Sequence, residues 1–154
     1  MKLILLADKP EAAPILAQWY FDEWAKEVTG MTLEKVLSKV QTFTERLIAP
    51  LSVLALEGDE VVGAAEFKIR EMDIFPDYEF WLGGVYVRAD KRGQGIASLL
   101  VAEVIRRARV AGTKHLYLQT EDLTGGLYAQ HGFQPLREVT HDGHRVLVMT
   151  AALA

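Results

Sequence analysis

Apolar positions along this chain change period several times, and each change marks an element. Residues 2–7 are almost continuously apolar and predict a first strand. Pro10 opens a stretch in which Ala12, Ile15, Leu16, Trp19, Tyr20 and Trp24 recur at the spacing of a helix with one buried face, ending at Thr29-Gly30. Leu33, Val36, Leu37, Val40, Phe43 and Leu47 repeat that spacing behind a Thr32 cap, and Pro50 closes this second helix. The period then drops to that of strands. Residues 52–57 and 61–70 are β-rich runs around Gly58-Asp59-Glu60, a hairpin-like turn.

Residues 71–77 form a polar connection, and residues 80–87 a fourth strand interrupted by Gly83-Gly84. Glycines inside a strand point to a bulge or to close approach by a ligand. Ile96, Leu99, Leu100, Val104, Ile105 and Ala108 give a third helix its buried face, with Arg106, Arg107 and Arg109 near the end where cations suit the dipole, and Gly112 as terminator. A fifth strand over 115–120, a short helix over 127–131, and strands over 134–140 and 145–150 around Asp142-Gly143 complete the chain. The predicted order is β-α-α-β-β-β-α-β-α-β-β.

Composition narrows this picture. A chain of 154 residues, half of them apolar, suits one domain over residues 1–154 with a full core. The absence of cysteine excludes a disulfide framework, a thiolate nucleophile and a cysteine zinc site, and agrees with a cytoplasmic setting. No apolar stretch is long enough to span a membrane, and the first residues are too soon interrupted for a signal peptide. The net charge of -4 opposes nucleic-acid binding and tolerates a cationic partner.

The run from Val85 through Leu100 carries the most chemistry. An apolar strand, a charged turn holding Gly93 and Gly95, and an apolar helix together aim free backbone N–H groups at one point, and such a point attracts phosphate. A Walker loop is absent. A dinucleotide fingerprint fails too, since Ser98 stands where its third glycine belongs and the next strand ends in Gln119-Thr120 rather than an acid.

Arg92-Gly93-Gln94-Gly95-Ile96-Ala97 fits the Gln/Arg-x-x-Gly-x-Gly/Ala signature, and Leu127 to Phe133 fits Leu-Tyr-x-x-x-Gly-Phe. In these two motifs, and in the order of its elements, the chain resembles the GCN5-related N-acetyltransferase (GNAT) family, in particular its small bacterial members. The resemblance implies an α/β (α+β) fold with a mixed, mostly antiparallel sheet of about seven strands and four helices. It implies acetyl-CoA as co-substrate and no metal. The pyrophosphate would lie against Arg92, Gly93, Gln94, Gly95, Ile96, Ala97 and Ser98, and the pantetheine arm against the backbone of Val85, Tyr86 and Val87. Tyr128 matches the family's proton donor to the leaving thiolate. Glu79 matches the glutamate that acts as general base in histone-acetylating relatives, with Glu66 as substitute and water as a third choice. A backbone N–H near Gly83 or Gly84 would hold the oxyanion.

One departure from the family is the segment 121–126, which lacks the asparagine that many relatives use on the carrier; Asp122 is then a helix cap. His115, His131, His141 and His144 show no metal-ligand spacing and read as structural or surface groups. The implied reaction moves an acetyl group from acetyl-CoA to a primary amine by direct attack. The acceptor is a small molecule or a peptide, drawn in by the acidic run Glu71, Asp73, Asp77 and Glu79, and the protein a monomer or homodimer. The alternative is a non-catalytic acyl-CoA-binding regulatory module.

Overall fold

In a computed structural model that describes residues 1–154 throughout, seven strands form one sheet with helices on both faces. The order along the chain is β1 (Lys2–Leu5), α1 (Ala13–Tyr20), α2 (Leu33–Val40), β2 (Leu51–Glu57), β3 (Glu60–Ile69), β4 (Phe80–Val87), α3 (Ile96–Val110), β5 (His115–Thr120), α4 (Gly126–Gln130), β6 (Gln134–His141) and β7 (His144–Ala152). Across the sheet the strands run β1-β2-β3-β4-β5-β7-β6, antiparallel except for β4 beside β5. This is the mixed, mostly antiparallel sheet with four helices that the resemblance implies.

Alternation along the central strands sorts their side chains between two cores. Val53 and Ala55 of β2, with Ala65 and Phe67 of β3, pack under α3 against Leu100, Val101, Val104 and Ile105. Leu54 and Leu56 of β2, with Ala64 of β3, face the other way against Leu16 of α1 and Val36 and Val40 of α2. Because both faces are covered, β2 reads as a continuous apolar run rather than an alternating one.

Three predicted boundaries shift, each for a physical reason. The first strand stops at Leu5, because Leu6–Asp8 turn into a 3₁₀ segment whose Asp8 carboxylate accepts from Leu5 N–H. The first helix does not run smoothly to Trp24: its last turn, Phe21–Ala25, widens to π-helical geometry. The second helix keeps its Thr32 cap, whose hydroxyl accepts from Lys35 N–H at 3.2 Å, yet ends at Val40. There Thr42 Oγ1 donates back to the Lys39 carbonyl at 2.7 Å, a local bond that competes with helix continuation, and Thr44 bridges to Leu51. Phe43 is still buried, whereas Leu47 stands 77% exposed although it continues the helical period.

Candidate active site

The end of β4 leads into a turn whose shape two glycines set. Gly93 (φ 79°) and Gly95 (φ 82°) take left-handed backbone conformations, and Gly95 immediately precedes the first turn of α3. Such a conformation costs a residue with a side chain about 1–2 kcal/mol. A Cβ at either glycine would meet no heavy atom within 4 Å, so conformation rather than crowding requires glycine here. No backbone N–H of residues 92–98 donates to another group of the protein; Leu99 N–H to the Gly95 carbonyl, 3.2 Å, is the first bond of the helix. An array of unpaired donors at the positive end of a fifteen-residue helix is suited to a bulky anion.

These residues border a cleft of about 360 Å³. Val85, Tyr86, Val87, Ile96, Ala97 and Leu127 form its floor and sides, with Arg92, Gly93, Gly95 and Ser98 at the turn. Gln94 is exposed and does not line it. Arg92 is tied down: its Nε donates to the Val87 carbonyl at 2.9 Å, and its guanidinium lies 5.3 Å from the centre of the Tyr86 ring. Ser98 Oγ and His131 Nε2 share a hydrogen bond of 2.8 Å that fastens the start of α3 to the end of α4. The widened turn of residues 21–25 brings Glu23 and Trp24 to the outer wall, where Trp24 meets Tyr86 edge-on at 6.3 Å and Trp19 stacks on the same ring at 5.0 Å.

Strand β4 is itself interrupted. Glu66 pairs with Gly83 and Ala64 with Tyr86, so Ala65 alone stands opposite Gly84 and Val85, and Gly84 has φ 56°. This is the bulge that the paired glycines predict. It also shifts the alternation of the strand: Phe80 and Leu82 face α3 before it, Val85 and Val87 after it, and Tyr86 turns toward α1. Tyr20 of α1 holds the bulge from above, its hydroxyl donating to the Gly84 carbonyl at 2.8 Å. On the other edge β4 registers with β5 only at Trp81 opposite Tyr117. Beyond that pair the two strands part, and the backbone of Val85, Tyr86 and Val87 borders the cleft instead.

Tyr128 lies on α4, half-buried against the α3-side core and edge-on to Phe133 at 6.3 Å. Burial, with a further push from the charge of Glu71, raises its pKa to about 12, so the phenol stays protonated over any ordinary working range. Asp122 does not cap α4 directly. Its Oδ1 accepts from the backbone N–H and the hydroxyl of Thr124 and closes the turn ahead of the helix, which begins after Gly125.

On the α1–α2 face of the bulge sits a charged cluster. Glu66 and Lys68 alternate to the same face of β3, and Glu71 follows just beyond the strand. Lys68 Nζ lies 2.7 Å from Glu71 Oε1 and 3.8 Å from Glu66 Oε1, all three side chains being mostly buried. Burial raises the pKa of Glu66 and is only partly offset by Lys68 and Lys39. For Lys68 burial acts downward, but the charges of Glu71 and Glu66 outweigh it and hold the ammonium above its usual value. Lys68 and Glu71 also border a second cleft, of about 380 Å³, together with Lys39, Thr42, Arg70 and Asp73.

Glu79 occupies a different setting. Its carboxylate is half exposed and accepts from Arg70 Nη2 at 3.2 Å, at the entrance of β4. The histidines converge on no common point: His141 approaches Asp142, His144 approaches Glu121, and no group of His, Asp and Glu side chains is arranged to hold a metal ion. Glu23 and Trp24 in the first cleft and Lys68 beside Glu66 are additions to the site residues singled out by sequence, while Leu127 enters the cleft as the first residue of its motif. For Lys68 a signal exists, since Glu66 and Lys68, two apart, break the apolar run that begins at Val61 of β3. For Glu23 and Trp24 none does, because the widened helical turn brings them there.

The sheet parts between β4 and β5 beside a row of unpaired backbone donors. The profile of the acetyltransferase (GNAT) family matches residues 4–133, and the chain belongs to that family. It is an acetyltransferase that uses acetyl-CoA. Similar solved structures include a ribosomal-protein-alanine N-acetyltransferase from Brucella melitensis, 22% identical over 99% of this chain and 100% of that one with a TM-score of 0.79. An aminoglycoside 6'-N-acetyltransferase complexed with coenzyme A is 15% identical over 100% and 98%, TM-score 0.77. An N-acetyltransferase from Staphylococcus aureus Mu50 is 20% identical over the full length of both, TM-score 0.76. At such identities the likeness speaks for the fold alone. No curated protein sequence matches the chain. No helix is long and apolar enough to cross a membrane.

Proposed function

We propose that this protein transfers the acetyl group of acetyl-CoA to a primary amine by direct attack of the amine on the thioester. The observation that carries this reading is the row of unpaired N–H groups at residues 92–98 facing one cleft with the free edge of β4. Those donors suit the pyrophosphate, and the backbone of Val85, Tyr86 and Val87 suits the amides of the pantetheine arm, as an added strand would pair. A carrier so placed points its thioester along β4 toward the Gly84 bulge. A backbone N–H of Gly83 or Gly84 stabilises the oxyanion in this reading, which the bulge between Ala64 and Glu66 of β3 and the facing β4 glycines supports.

Tyr128 then donates its proton to the departing thiolate. Its raised pKa ensures that the phenol arrives protonated, and the uphill transfer to the thiolate is completed as the tyrosinate takes back a proton from the newly acylated, strongly acidic nitrogen. A carboxylate or water takes the proton of the incoming ammonium. Glu79 would act from the rim through solvent, whereas Glu66 lies at the bulge itself. Acceptors are cationic amines, small molecules or peptide ends, in keeping with the net charge of -4.

Thiol release from acetyl-CoA in the presence of polyamines, aminosugars, amino acids and basic peptides tests the proposal. Turnover with at least one amine, and an N-acetylated product by mass, is expected. Acetyl-CoA binding without release of thiol by any of them would leave an acyl-CoA-binding module.

A further inference from the structure

The second cleft, of about 380 Å³, carries charges of both signs, although the chain as a whole is acidic. Lys39, Lys68 and Arg70 border it against Glu71 and Asp73. It adjoins the bulge through the Lys68–Glu71 pair, since a Cβ on Gly83 would come 2.8 Å from Lys68 Cδ and 2.9 Å from Glu71 Oε1. Tyr128, whose pKa is raised chiefly by burial, also feels the charge of Glu71, so that carboxylate faces both the cleft and the surroundings of the phenol. Two of the cations are committed, Lys68 to Glu71 at 2.7 Å and Arg70 to Glu79 at 3.2 Å. Lys39 and Asp73 are not: neither takes part in an ion pair, and they do not pair with each other although they border the same space. Glu71 keeps an acceptor unfilled as well, its Oε2 being buried with no hydrogen-bond partner, a state that costs stability until a donor is supplied.

We propose that the acceptor is a small amino carboxylate, held with its ammonium toward Glu71 and Asp73 and its carboxylate toward Lys39 and Arg70; this rests on the acetyl-transfer reading given above. A molecule that carries both charges satisfies both free groups of the cleft at once. Arg70 has capacity for it, because one guanidinium nitrogen bonds Glu79 and the remaining N–H donors of the fork are open to a second carboxylate. Its backbone is held in the left-handed region, φ 47°, where the chain leaves β3. A polyamine or aminosugar would bring further positive charge against three cations. A plain carboxylate would leave Glu71 and Asp73 without a donor. A cleft of this size stands at the small end of ligand pockets, roughly 300–1,000 Å³, and suits a single small molecule.

The same arrangement separates substrate from product. On transfer the nitrogen forms its bond to the acetyl carbon and the carbon–sulfur bond breaks. Of the three ammonium protons one stays on the amide, one ends on the thiol and one leaves to solvent. The product keeps its carboxylate but has lost its positive charge, so Glu71 and Asp73 attract the substrate's ammonium and repel the anion that replaces it.

The test measures thiol release from acetyl-CoA with glycine, β-alanine, γ-aminobutyrate and the common L-amino acids, each beside its carboxamide, and with spermidine and glucosamine. At least one acid is expected to exceed its amide in kcat/KM by about tenfold or more, as a charge-assisted contact to the carboxylate requires. That preference runs against intrinsic reactivity, because the amide has the less basic amine and holds more of it free. In Lys39→Glu, an exposed position, the acid-to-amide ratio should fall by about 10- to 100-fold through KM for the acid, with calorimetric acetyl-CoA affinity unchanged and the preference largely kept in Lys39→Arg. Lys2→Glu makes the same charge change at the other end of β2, where Lys2 stands opposite Leu56, and should leave the ratio as in the wild type. Amides used as readily as acids overturn the inference. So does a ratio that Lys39→Glu leaves unchanged, or one that Lys2→Glu lowers equally, which would reduce the preference to the general field of the chain. Acetylation of spermidine or glucosamine with no amino carboxylate among the acceptors overturns it while the acetyl-transfer reading stands. If acetyl-CoA binds and no amine is acetylated, the acetyl-transfer reading falls and the acceptor class falls with it.

Discussion

The two sides of β4 solve opposite problems. On the cleft side the polar groups are backbone N–H groups of residues 92–98, unpaired within the chain. On the α1–α2 side they are side chains, Glu66, Lys68 and Glu71, packed away from solvent and pressed against a strand that carries glycine beneath them. Backbone donors are fixed by chain geometry and serve any sequence that makes the turn. Buried charges depend on neighbours from several elements and are tuned by each of them. On the reading proposed above, the first arrangement serves an invariant carrier. Tyr128 links the two, since it lies on α4 against the α3-side core and yet feels the charge of Glu71.

The largest effect is expected at that link. Tyr128→Phe removes one oxygen and keeps the ring against Phe133, so it separates proton donation from packing. A fall in kcat of about 10²- to 10⁴-fold is expected, with acetyl-CoA affinity and melting temperature close to wild type. Full activity under conditions where chemistry limits the rate would show that water protonates the thiolate.

Next comes the backbone side. Gly95→Asp places a carboxylate among the donors, and two like charges about 4 Å apart at an effective dielectric of about 20 repel by about 4 kcal/mol. Calorimetric affinity for acetyl-CoA should therefore drop by roughly 10³-fold or below detection, while the fold survives because no atom crowds Gly95. Gly95→Ala is the control. It meets only the left-handed conformational cost of about 1–2 kcal/mol. Equal affinity in a folded Gly95→Asp protein would show that the carrier does not use this turn.

This asymmetry also explains what the sequence made legible. Gly93, Gly95 and the apolar run after them are a local signal, because a turn and a helix start depend on neighbours in the chain; β4 was bounded at 80–87 for the same reason. The Gly83-Gly84 bulge was legible as a break in pattern, but what fills the space above it was not. That Glu66 and Glu71 meet Lys68 there follows from the pairing of β3 with β4 and from the path of the chain after β3. The overlong second helix failed in the opposite sense. Its apolar period continues to Leu47, but the period of Phe43 and Leu47 carried no information about Thr42 bonding back to Lys39.

A smaller effect is expected from Gly84→Ala, which attacks the side-chain arrangement through the backbone. The new Cβ must displace the Glu66 carboxylate and adopt a left-handed φ, which together cost about 2–4 kcal/mol. The urea midpoint should fall correspondingly, while acetyl-CoA affinity changes less than in Gly95→Asp. Unchanged stability would mean that the carboxylate moves aside freely and that the cluster is looser than its contacts indicate.

The smallest effects are in stability against pH, and they contrast the buried carboxylate with the exposed one. The folded-state pKa of Glu66 is raised above the ordinary value near 4.5, chiefly by burial. Below that value the carboxyl is neutral in both states and contributes no penalty. As pH rises past it the unfolded chain ionises first, and once the folded pKa is passed the native state carries a poorly partnered charge; stability relative to the acid limit is lost over that interval. Glu66→Gln cannot ionise, so its urea midpoint should draw level with or above that of the wild type as pH increases from 4 to 8, while Lys68 keeps Glu71 as its partner. Glu79→Gln removes a half-exposed partner of Arg70, worth at most about 1 kcal/mol at the surface, and its difference from wild type should be small and erased by salt. Parallel curves for wild type and Glu66→Gln would mean that Lys68 and Lys39 compensate the buried charge fully. The contrast between a solvated and a desolvated carboxylate at the two ends of this site would then disappear.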